Sequence, residues 1–288
     1  MGGGKETPRQ KMIGLMYLVL MALLAMNVSK EVILAFVTLN DKIESGIQIV
    51  ETSTANELGS FDKAMAGLKA QKAGPAEIAK LEALQGDALQ VRKWTRELSN
   101  EFVRLTSEMI KLSQDGMFGK ENAEASAQAN HYVEIGEGDN VIYKLMPLSH
   151  LEKKDDYDTP SNMFIGIQGD FKNPEGMYIK DSITNYRDRL CKLIGDHPGE
   201  KEGEVYSFTP PEGLLLAKDD AESRAAFRSE LVGAMGTVDP KDTAIIIQLY
   251  SLLTPPEVTD NHGEEYPWVA KLFDHTPMVA AAAMFTSL

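Results

Sequence analysis

The residues that could do chemistry in this chain are five histidines, a run of acids and one cysteine. The sequence contains no G-x-G-x-x-G phosphate loop, no G-x-S-x-G nucleophile motif and no H-E-x-x-H zinc motif. None of the histidines has a second histidine at metal-ligand spacing on one helix face; they are His131, His150, His197, His262 and His275. The sequence therefore predicts neither an enzyme nor a metal or cofactor site.

The remaining reactive residue types favour structural roles. The acidic run at 155–158 lacks the D-x-D-x-D-G spacing and the bidentate Glu of an EF-hand, so we interpret it as a solvated acidic loop. Cys191 is the only cysteine, which excludes an intramolecular disulfide, and we interpret it as a small buried apolar residue. Trp94 and Trp268 are interpreted as helix-packing residues rather than stacking platforms.

Charge is distributed unevenly along the 288 residues. The formal net charge is −14 at pH 7, yet residues 1–30 carry four basic residues against the single acid Glu6. Nucleic acid is not an expected partner, because binding to phosphates requires a basic surface and the body of the chain is acidic. The content of 43% hydrophobic and 25% charged residues is typical of a globular protein and argues against disorder.

The basic start precedes a long uncharged run. From Met12 to Ser29 there are eighteen consecutive residues without a charge. As a helix they extend about 27 Å, close to the thickness of a bilayer core. A cleaved signal peptide is the alternative, but the run leads into Asn27-Val28-Ser29-Lys30 without a small-x-small cleavage site. We predict a cytoplasmic N-terminus at 1–7, a transmembrane helix at 8–30 in the lipid bilayer, and the remainder of the chain on the far side of the membrane.

Arg9 lies at the cytoplasmic end of the predicted span. Thr7 suits the N-cap and Pro8 the first helical position, so Arg9 falls in the first turn. A cation there opposes the helix dipole, which means that Arg9 serves membrane orientation or function rather than helix stability.

A helical projection of the span separates two faces. Residues within about 80° of Arg9 form an arc that contains the polar side chains; they are Ile13, Tyr17, Leu20, Leu24 and Asn27. A second face consists of small residues, which let neighbouring helices approach closely; they are Gly14, Ala22, Ala25 and Ser29. Both faces are therefore expected to contact protein rather than lipid alone.

The elements that position this span are mainly helical. Apolar residues continue at helical spacing from Phe36 to Leu68, which predicts a helix that continues well beyond the span, with Gly59-Ser60 as a candidate interruption. Gly74-Pro75 predicts a turn, and strict 3-4 spacing over 81–112 predicts a second long helix that packs antiparallel to the first. Gly, Pro, Asn and Asp dominate 115–180, which predicts a loop-rich insertion with short strands.

Helical patterns return in the last part of the chain, at 182–195, 217–235, 242–253 and 267–288. We predict a mainly α fold, in which a single N-terminal transmembrane helix precedes a helical bundle with a loop-rich insertion at 31–288. The apolar run Ala280–Leu288 has no C-cap, from which we expect further C-terminal domains.

The run TPRQKMIGLMYLVLMALLAMNVSKEVILAF at 7–36 closely resembles the start of the GldM/PorM family of the type IX secretion and gliding machinery. This resemblance implies a dimeric inner-membrane protein whose span lies inside a ring of GldL-type subunits and whose helical bundle at 31–288 is periplasmic. It also implies a motor driven by the proton motive force. Motion would pass through the periplasm to outer-membrane and periplasmic secretion-ring components, contacted by the expected C-terminal domains.

The residues of the span constrain how such a motor could work. Between Met12 and Ser29 there is no Asp, Glu, His or Lys, so this chain cannot itself bind and release a proton at mid-membrane. The resemblance then implies a carboxylate on the partner, with Arg9 as its counter-charge and Tyr17 as a hydrogen-bonding contact. Two other classes stay open: a membrane-tethered periplasmic scaffold or binding module that carries no torque, and a secreted enzyme.

Overall fold

The computed structural model describes residues 8–118, 132–138, 141–151, 153–166, 174–199, 203–218, 220–259, 265–266 and 268–288. Side chains at 8, 9, 11, 22–29, 114–118, 174–175, 258–259 and 265–266 lie outside this description. The helices are α1 Pro8–Ala70, α2 Pro75–Phe118, α3 Asp158–Phe164, α4 Pro174–Gly195, α5 Ala221–Ala234, α6 Pro240–Leu252, α7 Trp268–Phe273 and α8 Met278–Ser287. The strands are β1 Tyr132–Ile135, β2 Ile142–Leu145, β3 His197–Pro198, β4 Val205–Tyr206, β5 Val258–Thr259 and β6 Glu265–Tyr266.

The two long helices form the predicted antiparallel hairpin. After α1 ends, Lys72 takes the left-handed conformation with φ of 52°, and Pro75 begins α2 at the first helical position, where its missing N–H costs no hydrogen bond. Gln85 of α2 donates a hydrogen bond of 3.0 Å to Asp62 of α1. The turn at Gly74-Pro75 is thereby confirmed, and the fold is mainly helical as expected.

The candidate interruption at Gly59-Ser60 does not occur, and α1 runs through both residues as the long helix that the apolar spacing predicted. A glycine inside a helix costs only about 1 kcal/mol relative to alanine. The neighbouring Leu58 and Phe61 are half-buried, so packing offsets that cost. Helix propensity alone therefore left open a point that tertiary contacts decide.

The first of two apolar cores surrounds the middle of α1. Four aromatic rings meet there: Phe285 of α8 lies 5.0–5.9 Å, between ring centroids, from Phe273, Phe164 and Phe102. Four consecutive residues of α8, Ala280 to Ala283, are at most 4% exposed. Their small side chains let α8 lie close against α1, which contributes Val37 to this core.

The second core lies between the end of α4, α5 and α6. It contains Cys191, Phe227, Leu231, Ile246 and Tyr250. The buried guanidinium of Arg187 is satisfied here, since it donates to Thr254 at 2.7 Å and to Asp188 at 2.8 Å and lies 3.9 Å above the Tyr250 ring. Helix α4 joins the two cores, because Ile179 and Ile183 on its first half belong to the first core.

The predicted insertion at 115–180 contains the β1–β2 ribbon, α3 and the first turns of α4. Helix α4 begins at Pro174, eight residues before the helical pattern that the sequence suggested. Asn100 of α2 holds β2 in place: its amide nitrogen donates to Val141 O at 2.8 Å, and its amide oxygen accepts from Tyr143 N at 2.7 Å. A single side chain thus acts as a strand partner for the ribbon.

The segment at 267–288, expected as one helical stretch, is divided into α7 and α8. His275 has φ of 48°, and Pro277 precedes α8. Proline disfavours helical geometry in the residue before it, so Thr276-Pro277 explains the division.

The interpretation of 155–158 as a solvated loop was wrong for Asp156. This half-buried carboxylate accepts hydrogen bonds from the hydroxyls of Ser113 and Thr159 and from the backbone N–H groups of Asp158 and Thr159. Partial burial raises the pKa of Asp156, but these bonds outweigh burial and hold the pKa below its usual range. Its backbone carbonyl also accepts from Met278 N at 2.8 Å. Asp156 therefore ties α2 and α8 to the start of α3.

Replacement of Asp156 by Asn is expected to lower the free energy of unfolding at pH 7 by about 1–3 kcal/mol, because an amide group would face the two hydroxyl donors. The advantage of the carboxylate is present above its unfolded-state pKa and is lost as pH falls through the lower folded-state pKa. Urea unfolding at pH 7 and at pH 3 measures both effects. The matched control is D155N at an exposed neighbour, expected within about 0.5 kcal/mol of wild type. Equal losses in the two variants would contradict the assignment.

Candidate functional site

The N-terminal part of α1 extends beyond the folded body. Along α1 the first side chains that pack against the first core are Ile33 and Phe36. Before them, the described side chains of residues 12–21 are all exposed: Ile13 is 59%, Tyr17 63% and Leu20 64% exposed. A methyl group added at Gly14 would meet no atom within 4 Å. These apolar positions are thus not covered by the described parts of this chain.

The predicted site residues share one helix, and those whose side chains are described are exposed rather than packed against another described element. The backbone of α1 includes every one of them, but several side chains lie outside the described residues, namely those of Arg9, Ala22, Leu24, Ala25, Asn27 and Ser29. Thr7, expected as the N-cap, also lies outside them, while the helix begins at Pro8 as expected. In the part of the chain that the structure describes, no helix has the combined length and apolar character required for a bilayer crossing.

Helix α1 connects this exposed segment directly to the first core. It has 63 residues, which at 1.5 Å per residue corresponds to about 95 Å. The core holds α1 at Val37 and at Asn40, whose side chain is fully buried and donates to Glu44 at 2.8 Å. The Asn40 amide oxygen accepts no hydrogen bond within the described residues. Sequence reasoning missed Asn40, since nothing in the local pattern distinguishes it from an exposed helical asparagine.

His197 and two acids at the start of α6 form a cluster that the sequence did not indicate. The Nε2 atom of His197 lies 2.7 Å from Oδ2 of Asp242, and ligand atoms of His197, Asp239 and Asp242 lie within 4.8 Å of one another. Each of the three residues already makes a structural contact. His197 and Asp242 contact each other, and Asp239 caps α6 by accepting from Lys241 N at 2.8 Å. We therefore do not assign a metal centre to this cluster. More than forty residues separate His197 from Asp242, so no motif could have found it.

The cysteine and Trp268 have the predicted packing roles. Cys191 is fully buried in the second core, and burial raises the pKa of its thiol to about 12. Trp268 packs against the first core. Neither residue contributes a reactive or ligand-binding group to the described surface.

Comparison with known families decides the affiliation of this chain. The family model of the GldM N-terminal domain matches residues 31–227, which is more than half of the sequence. The chain belongs to the GldM family. A search of curated proteins gives no match.

The GldM match begins just after the predicted span and continues into α5. GldM-family proteins are associated with the inner membrane and with the gliding and type IX secretion machinery, and the family is a structural, motor-associated one rather than an enzyme family. This GldM-family chain is accordingly a component associated with other parts of that machinery.

Cys191 is expected to resist a water-soluble maleimide in the native chain at pH 7 and to react after unfolding in urea. A pKa of about 12 makes its thiolate fraction about a thousandfold smaller than that of an ordinary thiol, and burial blocks access. Mass spectrometry of the adduct measures the reaction. Ser53→Cys, at an exposed position of α1, is the positive control. Rapid modification of Cys191 in the folded chain would show that the second core opens readily.

Proposed function

We propose that this GldM-family protein is the periplasm-projecting, dimeric subunit of an inner-membrane motor driven by the proton motive force. Residues 8–30 would cross the membrane once, with the N-terminus in the cytoplasm and residues 31–288 in the periplasm. The subunit would transmit motion from a GldL-type membrane ring to the outer-membrane apparatus. This activity would power type IX secretion and gliding.

The observation that carries the proposal is the continuity of α1 from Pro8 into the first core. A rotating or tilting shaft must not contain a hinge between the segment that receives force and the body that passes it on. Helix α1 meets this requirement, because no proline follows Pro8 within it and Gly59 does not interrupt it. A simple tether has no need of such continuity.

The exposed faces of the N-terminal segment support an enclosed position among partner helices. Tyr17 on one face and Gly14 on the small-residue face are both uncovered by the described chain. Exposed positions on both faces fit contact with ring subunits on more than one side.

Arg9 is the proposed partner of a carboxylate on the ring. Arginine stays charged at all physiological pH values and binds carboxylates through two parallel hydrogen bonds. Protonation of a partner carboxylate would release it from Arg9, and the next ionised carboxylate would take its place. Relative rotation would follow from this exchange. Tyr17, two turns further along α1, would add a hydrogen-bonding contact.

A flexible insert between Lys30 and Glu31 is expected to abolish gliding and secretion, whereas a helical insert of the same length is expected to retain them. Seven alanines add two turns and rotate the body by only about 20°. Seven glycines cost about 7 kcal/mol more in helix propensity and create a hinge. Colony spreading and secretion of a reporter cargo measure function, and copurification with the ring subunit controls for assembly. Equal function with both inserts would identify a tether and refute the shaft.

Replacement of Arg9 by Ala is expected to abolish gliding and secretion while the complex still assembles, because the proposed exchange of ion pairs loses its cation. R9K is the matched variant: it retains the charge without the bidentate geometry and is expected to retain part of the activity. Motility and copurification are measured on the same strains. Normal gliding of R9A would remove Arg9 from the mechanism, whereas failure of R9A to copurify would reduce Arg9 to an assembly role.

A further inference from the structure

We propose that the β3–β4 ribbon is fastened to the start of α6 by a proton-dependent latch, in which the His197 imidazolium bridges the ribbon to Asp242. The latch concerns residues that the motor proposal does not use. It is a conformational device within the second half of the chain, closed when the imidazole carries two protons and open when it carries one.

The hydrogen bonds of His197 require the doubly protonated ring. Its Nδ1 atom lies 3.0 Å from the carbonyl oxygen of Pro198, and its Nε2 atom lies 2.7 Å from Oδ2 of Asp242. Both partners are acceptors. A neutral imidazole has a single N–H and can satisfy only one of them, whereas the imidazolium donates to both. Loss of one proton therefore places two lone pairs face to face at one of the contacts.

The groups around His197 favour its charged form. Asp242 and Asp239 face His197 from the start of α6, where Lys241 also lies. The centroid of the Tyr206 ring lies 5.3 Å from that of His197, and the Tyr206 hydroxyl donates to Glu204. The bond to Pro198 O, then Asp242 and Asp239, raise the pKa of His197 above its ordinary value, although partial burial opposes them. The side chain is about one-third exposed, so protons exchange directly with solvent.

Only the contact of the ribbon with α6 depends on this proton. Within the ribbon, His197 pairs with Tyr206 at the base, and Gly199 N donates to Glu204 O at 2.7 Å near the turn. Directly after Tyr206, Ser207 N donates to Thr237 O at 3.0 Å and the Thr237 hydroxyl donates to Ser207 O at 2.7 Å. These backbone and hydroxyl groups do not titrate near neutral pH. A two-stranded ribbon is marginal without packing, so an open latch would loosen it from Gly199 to Tyr206 and leave Ser207 in place.

The direction of the pH dependence follows from the raised pKa. Stabilisation by the latch is complete below the unfolded-state pKa of about 6.5 and is lost as pH rises through the higher folded-state value. The ribbon is therefore closed below about pH 6.5 and is released as the pH rises past the raised folded-state pKa of His197.

The test is an NMR titration of the His197 ring in the full chain, together with amide exchange at Gly199 and Ser207. We expect His197 to titrate above pH 6.5, and in D242N to titrate about one pH unit lower, a tenfold change in its proton affinity. E222Q, at an exposed acid in the first turn of α5, is the matched control and should titrate as wild type. Protection of Gly199, corrected for intrinsic exchange, should fall severalfold from pH 6 to pH 9, while that of Ser207 should not change.

Three results would overturn the latch. The first is a His197 titration that is the same in wild type and D242N. The second is parallel loss of protection at Gly199 and Ser207. The third is a shift of the His197 signals by added Zn²⁺ that EDTA reverses, since a metal ion rather than a proton would then bridge His197 and Asp242. Should D242N fail to fold, H197Q serves instead: its Gly199 protection must be independent of pH if the latch exists.

Discussion

The unbroken ladder of backbone hydrogen bonds along α1 is the constraint on which the other elements depend. Each residue of a helix fixes its neighbours through i to i−4 bonds, so 63 residues in one helix place the exposed N-terminal segment and the first core in a fixed geometric relation. Helices α2 and α8 pack on the part of α1 that follows residue 32. A motion applied to one end of α1 is thereby applied to the bundle.

Polar side chains fix the junctions between the elements that pack around α1 and beyond it. Asp156 joins three elements at one point, and Asn100 fastens the β1–β2 ribbon to α2. Arg187 fixes packing in the second core in a similar way, since its charge is paired with Asp188. Such buried or half-buried polar groups are costly when unpaired, which gives the junctions a defined geometry.

Periodicity in the sequence predicted the helices and the hairpin turn, because apolar spacing and Gly74-Pro75 act locally. It failed where distant contacts decide. Packing carries α1 across Gly59, and the role of Asp156 depends on Ser113 and Met278, both far away in the sequence. The contact of His197 with Asp242 cannot be predicted from local spacing either. The predicted faces of the span follow from helical projection, but whether they contact partners is not a property of one chain.

The burial of helix α8 determines when the first core can form during synthesis of the chain. Consecutive residues of a helix point about 100° apart, so four successive buried alanines, Ala280 to Ala283, mean that protein surrounds α8 on every side. Helix α8, although it follows the other described helices along the chain, is thus an interior one. Before α8 is synthesised, α1, α2 and α3 expose the phenylalanines and aliphatic groups that it covers in the fold. The first core can therefore close only after α8 has joined it, and until then its apolar groups stay exposed.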